Sequence, residues 1–248
     1  MREEKFDYKI KIKPNDEEYQ DGHRFWQGIP GVAKAANGRL WATWYSGGPS
    51  EGPGNWIVLY TSADDGDHWE GPIFVIDSED ERRSVDPNLW MDPEGRMWLF
   101  FQKNQSEGPC EFTIWAIYTD NPGDEVPTWS EPKHIGNGVA LNNPLVLKDG
   151  TWVLPTTVWS MHLTEALGDE NNAGCYISED KGKTWNYQGS IDKLEGERQH
   201  EEPVIVEKED RHLQMFIRTL KGIETSHSYD RGKTWSDGVD AGFTRTNS

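Results

Sequence analysis

The chain has 248 residues, with 43 Asp and Glu against 25 Lys and Arg, and the resulting net charge of -18 sets it against nucleic-acid phosphates as a partner. Two cysteines, Cys110 and Cys175, are too few for a disulfide framework and lack CxxC spacing, so neither a metal nor another cofactor is expected. No apolar run is long enough to span a bilayer, and Met1-Arg2-Glu3-Glu4-Lys5 leads into no apolar export segment, so no membrane insertion is expected and the chain as written reads as cytoplasmic.

The length allows one domain over 1–248 with a substantial core. Its 25 Gly, 14 Pro and 13 Trp, many short aromatic runs and lack of any long 3.6-residue period predict an all-β fold. At the start, Phe6, Tyr8, Ile10 and Ile12 alternate with Asp7, Lys9, Lys11 and Lys13, a half-buried strand that Pro14 and Asn15 end. A lone strand ahead of repeated units is expected to complete the last unit and close a ring.

Four similar units then follow, approximately 25–77, 82–135, 138–192 and 198–240. Each reads as strand, turn, strand, with the first pair running through Asn37-Gly38 into Leu40 to Tyr45, and the second through Pro93-Glu94-Gly95 into Met97 to Phe101. The third turns at Asp149-Gly150, and the fourth near Glu209-Asp210-Arg211. A third strand in each unit leads to a recurring box: Ser62 to Trp69, Ser178 to Trp185 and Ser228 to Trp235 all read S-x-D-x-G-x-[TH]-W, and a degenerate copy lies at Thr119 to Gly123 before Thr128-Trp129. The box is a tight turn in which Ser and Asp bond nearby backbone, Gly takes positive φ and Trp lays an apolar face over the bend. The box Trp positions, 69, 129, 185 and 235, give the strand-rich period expected of a propeller or solenoid.

These boxes resemble the Asp-boxes, or BNR repeats, of the sialidase (neuraminidase) superfamily. The resemblance implies a six-bladed β-propeller, with about four blades in this chain and the rest expected beyond Ser248. It also implies a sialidase-like glycoside hydrolase that releases a terminal, acidic sugar from a glycan. Family members are often secreted or periplasmic, which leaves the compartment open.

In such a disc, residues that begin the first strand or follow the second converge on one face, away from the boxes. That reasoning gathers Gln27, Asn55, Asp86, Asn88, Asn143, His162 and His200 as candidate sugar-binding groups, polar side chains of the kind that hold hydroxyls. Capping of strand ends is the competing role for each. Glu202-Pro203-Val204-Ile205-Val206, with Arg218 sixteen residues beyond Glu202, resembles the family segment where a Glu acts as base and an Arg clamps the substrate carboxylate. A salt bridge across the hairpin is the alternative for that pair.

Glu51, in a Gly-rich loop, stands near the family's general acid, there an Asp, and would need a raised pKa for that role. Where the family carries Phe-Arg-Ile-Pro, this chain has Gln27-Gly28-Ile29-Pro30, so Gly28 replaces the first clamp arginine. A carbohydrate-binding propeller without turnover and a propeller polysaccharide lyase are the alternatives to the hydrolase.

Overall fold

The computed structural model describes residues 5–105, 109–159 and 165–243. Its residues form two compact units, Met1–Ser106 with Ile114–His134, and Glu107–Thr113 with Ile135–Ser248. The fold is all-β, four antiparallel sheets of four or five strands.

In the first unit, β1 (Lys9–Ile12), β2 (Trp26–Lys34), β3 (Leu40–Gly47), β4 (Trp56–Ser62) and β5 (Glu70–Asp77) form a sheet in the order β1-β5-β4-β3-β2. A second sheet, belonging chiefly to this unit, runs β6-β7-β8-β9, with β6 at Ser84–Met91, β7 at Met97–Asn104, β8 at Phe112–Thr119 and β9 at Lys133–Asn137. The second unit holds β10 (Leu145–Val146), β11 (Trp152–Thr156), β12 (Gly174–Ser178) and β13 (Asn186–Ser190) in one sheet. Its other sheet consists of β14 (Val204–Glu207), β15 (Leu213–Thr219), β16 (Gly222–Ser228) and β17 (Val239–Asp240).

Alternation decides which side chains form the core. Along β3, Trp41, Thr43 and Tyr45 are buried on one face, while Trp44 lies on the other with Val58 and Tyr60. In the second unit Ile205, Leu213, Met215 and Ile217 turn inward and pack with Val153, Cys175 and Trp235. Both cysteines are buried free thiols, and desolvation pushes that of Cys175 up to about 12.

The N-terminal strand departs from expectation. It pairs with β5 of the first sheet, Lys9 opposite Asp77 and Ile12 opposite Phe74, rather than completing the last unit. Long-range anchors hold it there: the Tyr8 hydroxyl donates to the Asn104 carbonyl at 2.8 Å, and the buried Lys103 ammonium reaches Asp7 at 2.6 Å and the Lys5 carbonyl at 3.1 Å. The segment after it crosses one face of the first sheet, where Tyr19 is sealed against Trp56, Val58 and Val75.

All three complete boxes are built alike. The serine hydroxyl accepts the glycine N–H, at 3.0 Å in Gly66, 2.7 Å in Gly182 and 2.8 Å in Gly232. The aspartate accepts the serine hydroxyl and the N–H four residues beyond it, from His68, Thr184 and Thr234. Two consecutive residues are left-handed, Asp65-Gly66, Lys181-Gly182 and Arg231-Gly232, whereas the sequence pattern marked only the glycine. The tryptophans differ: Trp235 is 8% exposed and donates to the Gly232 carbonyl, but Trp69 is 41% exposed.

Candidate functional site

In the first unit, β2 and β6 each open with a bulge at an X-Pro pair, between Gly28 and Gly31 and between Val85 and Asn88. Ile29 and Asp86, the residues before Pro30 and Pro87, have φ of 47° and 49°. Proline disfavours that conformation in its predecessor, so packing must hold both bends. The strands lie close enough that a Cβ on Gly31 would stand 3.2 Å from the Leu89 nitrogen and Pro87 oxygen.

Tyr45 and Glu51 form the centre of this end of the unit. Burial first, then the hydrogen bond to Glu51 and the charges of Asp86 and Glu51, hold the Tyr45 phenol above its ordinary pKa, so it remains a neutral donor. Glu51 is half exposed and its carboxylate lies 3.7 Å from Arg83. Asp86 is buried at 4% exposure, and Asn88 is half-buried opposite Phe100.

Two candidates stand elsewhere. Gln27 is exposed on the face of the sheet opposite to Tyr45, where its carbonyl accepts the Trp44 indole N–H at 2.9 Å. Asn55 is 0% exposed and folds its own loop: it accepts from Gly52 N at 2.7 Å and donates to Ser50 O at 3.3 Å. That amide is a loop device, out of reach of a ligand.

Gly28 explains the missing arginine. A Cβ there would meet the Tyr45 hydroxyl and Trp26 Nε1, both at 3.3 Å, so the space is already filled by a phenol and an indole.

In the second unit, Glu202 lies two residues before β14, whose Val204 pairs with Phe216 of β15, and it reaches Arg218 at 2.7 Å with both side chains partly exposed. Beside them Glu201, which the sequence reading passed over, is 0% exposed. Its Oε1 accepts from Arg198 Nε at 2.5 Å, while its Oε2 has no hydrogen-bond partner among the described residues. Arg198 also donates to Asn172 and to the Val158 carbonyl, each at 2.9 Å, tying the strand's approach to two other segments.

Period-two alternation contained the signal, because Glu201 shares parity with the inward Ile205 and Glu202 with the outward Val204. His200 has φ of 50° and its ring meets Trp159 edge-on at 5.1 Å. Asn143 is exposed, and its neighbour Asn142 donates to the Pro203 carbonyl at 2.9 Å. His162 lies outside the described residues.

The family model described as a BNR repeat-like domain matches residues 38–248. The chain belongs to this family. In fold it is similar to solved sialidase structures.

A Hadza microbial sialidase aligns at 19% identity and a TM-score of 0.61, over 88% of this chain and 47% of that one. The NanB sialidase from Streptococcus pneumoniae aligns at 14% identity and 0.62, over 97% and 55%. The leech intramolecular trans-sialidase aligns at 13% and 0.64, over 93% and 53%. The BNR-repeat chain therefore spans about half the length of these structures, and at such identities the likeness is one of fold. No curated protein matches the chain. Among the described residues, no helix is long and apolar enough to cross a membrane.

Proposed function

We propose that this BNR-repeat protein acts on glycans as a sialidase-like glycoside hydrolase releasing a terminal acidic sugar, its four sheets being blades of a six-bladed β-propeller. The observation that carries the reading is that Glu202 and Arg218, a carboxylate and a guanidinium, both keep access to solvent; they rest paired with each other at 2.7 Å, the salt bridge a purely structural role also gives, and substrate must open that pair. Arg218 is suited to receive the sugar carboxylate, because a guanidinium forks onto a carboxylate with two parallel hydrogen bonds. Glu202 takes the role of base. In the first unit Glu51, half exposed, takes the role of general acid, and because the Tyr45 donor and the Arg83 guanidinium at 3.7 Å both favour its carboxylate form, bound substrate must displace them before Glu51 can give up a proton.

The test is release of free sugar from sialylated and uronic-acid-terminated oligosaccharides by the purified protein. Under the hydrolase reading, Glu202→Gln lowers turnover by about 100-fold or more, in the range of general acid–base contributions, while substrate binding persists.

A second reading, glycan binding without turnover, is supported by Gly28, whose surroundings leave no room for a clamp arginine. It predicts saturable glycan binding with no product from the parent protein.

A further inference from the structure

On the face of the first sheet opposite to Tyr45, a cavity of about 380 Å³ is lined by Asp21, Arg24, Ala42, Trp44, Tyr60 and Trp69. Arg24 enters it from the end of the short 3-10 turn Asp21–His23 that precedes β2. Its guanidinium lies 5.6 Å from the Trp44 ring centroid and 5.1 Å from that of Tyr60, so two aromatic faces share the cation. Nη2 donates to the Tyr60 hydroxyl at 2.8 Å and also pairs with Asp21, whose side chain is 87% exposed.

The other two nitrogens are the informative ones. The Arg24 side chain is only 5% exposed, yet Nε and Nη1 are buried without a hydrogen-bond partner among the described residues. A charged donor left unsatisfied in a desolvated place is costly, and native folds seldom retain one unless something supplies the acceptor.

Trp69 is the second observation. It is the box tryptophan that, unlike Trp235, remains 41% exposed, and it presents its ring to this same cavity. The opposite wall is rigid: Trp44 and Tyr60 lie 5.1 Å apart, and the Trp44 N–H is tethered to Gln27 at 2.9 Å. The walls are flat and apolar and the charged groups are Arg24 and its partner Asp21, which is 87% exposed; an acid sugar would lay the C–H face of its ring on those walls and displace Asp21 to reach the guanidinium with charge-assisted hydrogen bonds. The volume lies within the range of small-ligand sites.

We infer that this cavity is a second binding site, for a carboxylated monosaccharide whose ring stacks on Trp69 and whose carboxylate satisfies Arg24. The site uses none of Glu51, Glu202 or Arg218, goes beyond the hydrolase reading and stands if that reading fails.

Isothermal titration calorimetry of the whole protein with glucuronic acid and with N-acetylneuraminic acid tests it, with glucose and sodium sulfate as controls. Saturable binding of at least one acid sugar is expected, with glucose and sulfate about tenfold weaker or more, the worth of one charge-assisted hydrogen bond. Arg218→Gln silences the Glu202–Arg218 pair; in that background saturable binding remains and Arg24→Gln abolishes it, and the Arg24 and Trp69 comparisons are made there. Should Arg24→Gln melt early by circular dichroism, Trp69→Ala decides, since its ring is surface-accessible and its loss is expected to weaken binding roughly tenfold.

Failure of both acid sugars to bind overturns the inference, as does equal binding of glucose or sulfate. Parent-like affinity in Arg24→Gln or in a folded Trp69→Ala also overturns it. Binding lost in Arg218→Gln alone would place the acid sugar on the Glu202–Arg218 pair instead.

Discussion

At Gly28 the absence of a side chain is a consequence of what surrounds it, the Tyr45 phenol and the Trp26 indole at 3.3 Å from where a Cβ would stand. Gly28→Arg is therefore expected to destabilise the protein by about 1–3 kcal/mol through overpacking, read as a lower urea midpoint, and to confer no affinity for sialic acid. A variant as stable as the parent would show that Tyr45 swings aside readily. Glu201 carries the opposite lesson. With one oxygen on Arg198 and no exposure, its replacement by Ala leaves the 18% exposed Arg198 guanidinium short of its counter-charge, and about 2–3 kcal/mol of stability is expected to be lost in denaturant titration, below the full cost of breaking a buried pair. Glu202→Ala, partly exposed, is expected to cost about 1 kcal/mol or less in the same assay.

The box turns are elements whose stability depends on pH. Backbone and side-chain hydrogen bonds from His68, with Ser62, bring Asp64 down to about 2 from an ordinary 3.8. At Asp180 desolvation pulls upward, but Thr184 and Ser178 outweigh it and again the value is about 2. A carboxyl whose pKa is lower folded than unfolded stabilises the fold above the unfolded value, and that stabilisation is lost as pH falls through the folded one. The melting temperature should therefore drop between about pH 4 and pH 2, and Asp180→Asn should flatten that limb. An unchanged acid limb in this variant would remove the box from the explanation.

The N-terminal strand is a second element with a measurable role. Deleting residues 1–13 uncovers the β5 edge and strips Lys103 of Asp7 and the Lys5 carbonyl. Lower thermal stability and concentration-dependent association in size-exclusion chromatography are expected, since an unpaired edge is a template for other strands.

For the molecule as a whole, the net charge of -18 acts on every residue at once. Self-repulsion of this kind is screened by salt, so the melting temperature is expected to rise between about 10 mM and 200 mM sodium chloride, over which the Debye length shrinks from about 30 Å to less than 10 Å. A fall instead would mean that attractive ion pairs, such as Arg198–Glu201, outweigh the repulsion.

Much of the chain was legible as written because its signals are local. The S-x-D-x-G-x-[TH]-W boxes specify their own hydrogen bonds within eight residues, Asn37-Gly38 and Asp149-Gly150 place their own turns, and alternating apolar residues mark the strands between them. For Glu202 and Arg218 the sequence offered a salt bridge only as the alternative to the roles the resemblance implies, and the structure shows that bridge at 2.7 Å. Other features were settled by contacts that no local spacing encodes. Asn55 turned inward because its loop needed both ends of an amide, and Gln27 faces Trp44 because the bulge at Ile29 sets the register of β2.

Tertiary structure alone decided where β1 pairs, which of two adjacent glutamates is buried, and that Arg24 and Trp69, forty-five residues apart, line one cavity. The physical reason is the range of the interactions. A turn closes on neighbours in the chain, whereas edge pairing, burial of a charge and the walls of a cavity depend on elements far away in sequence.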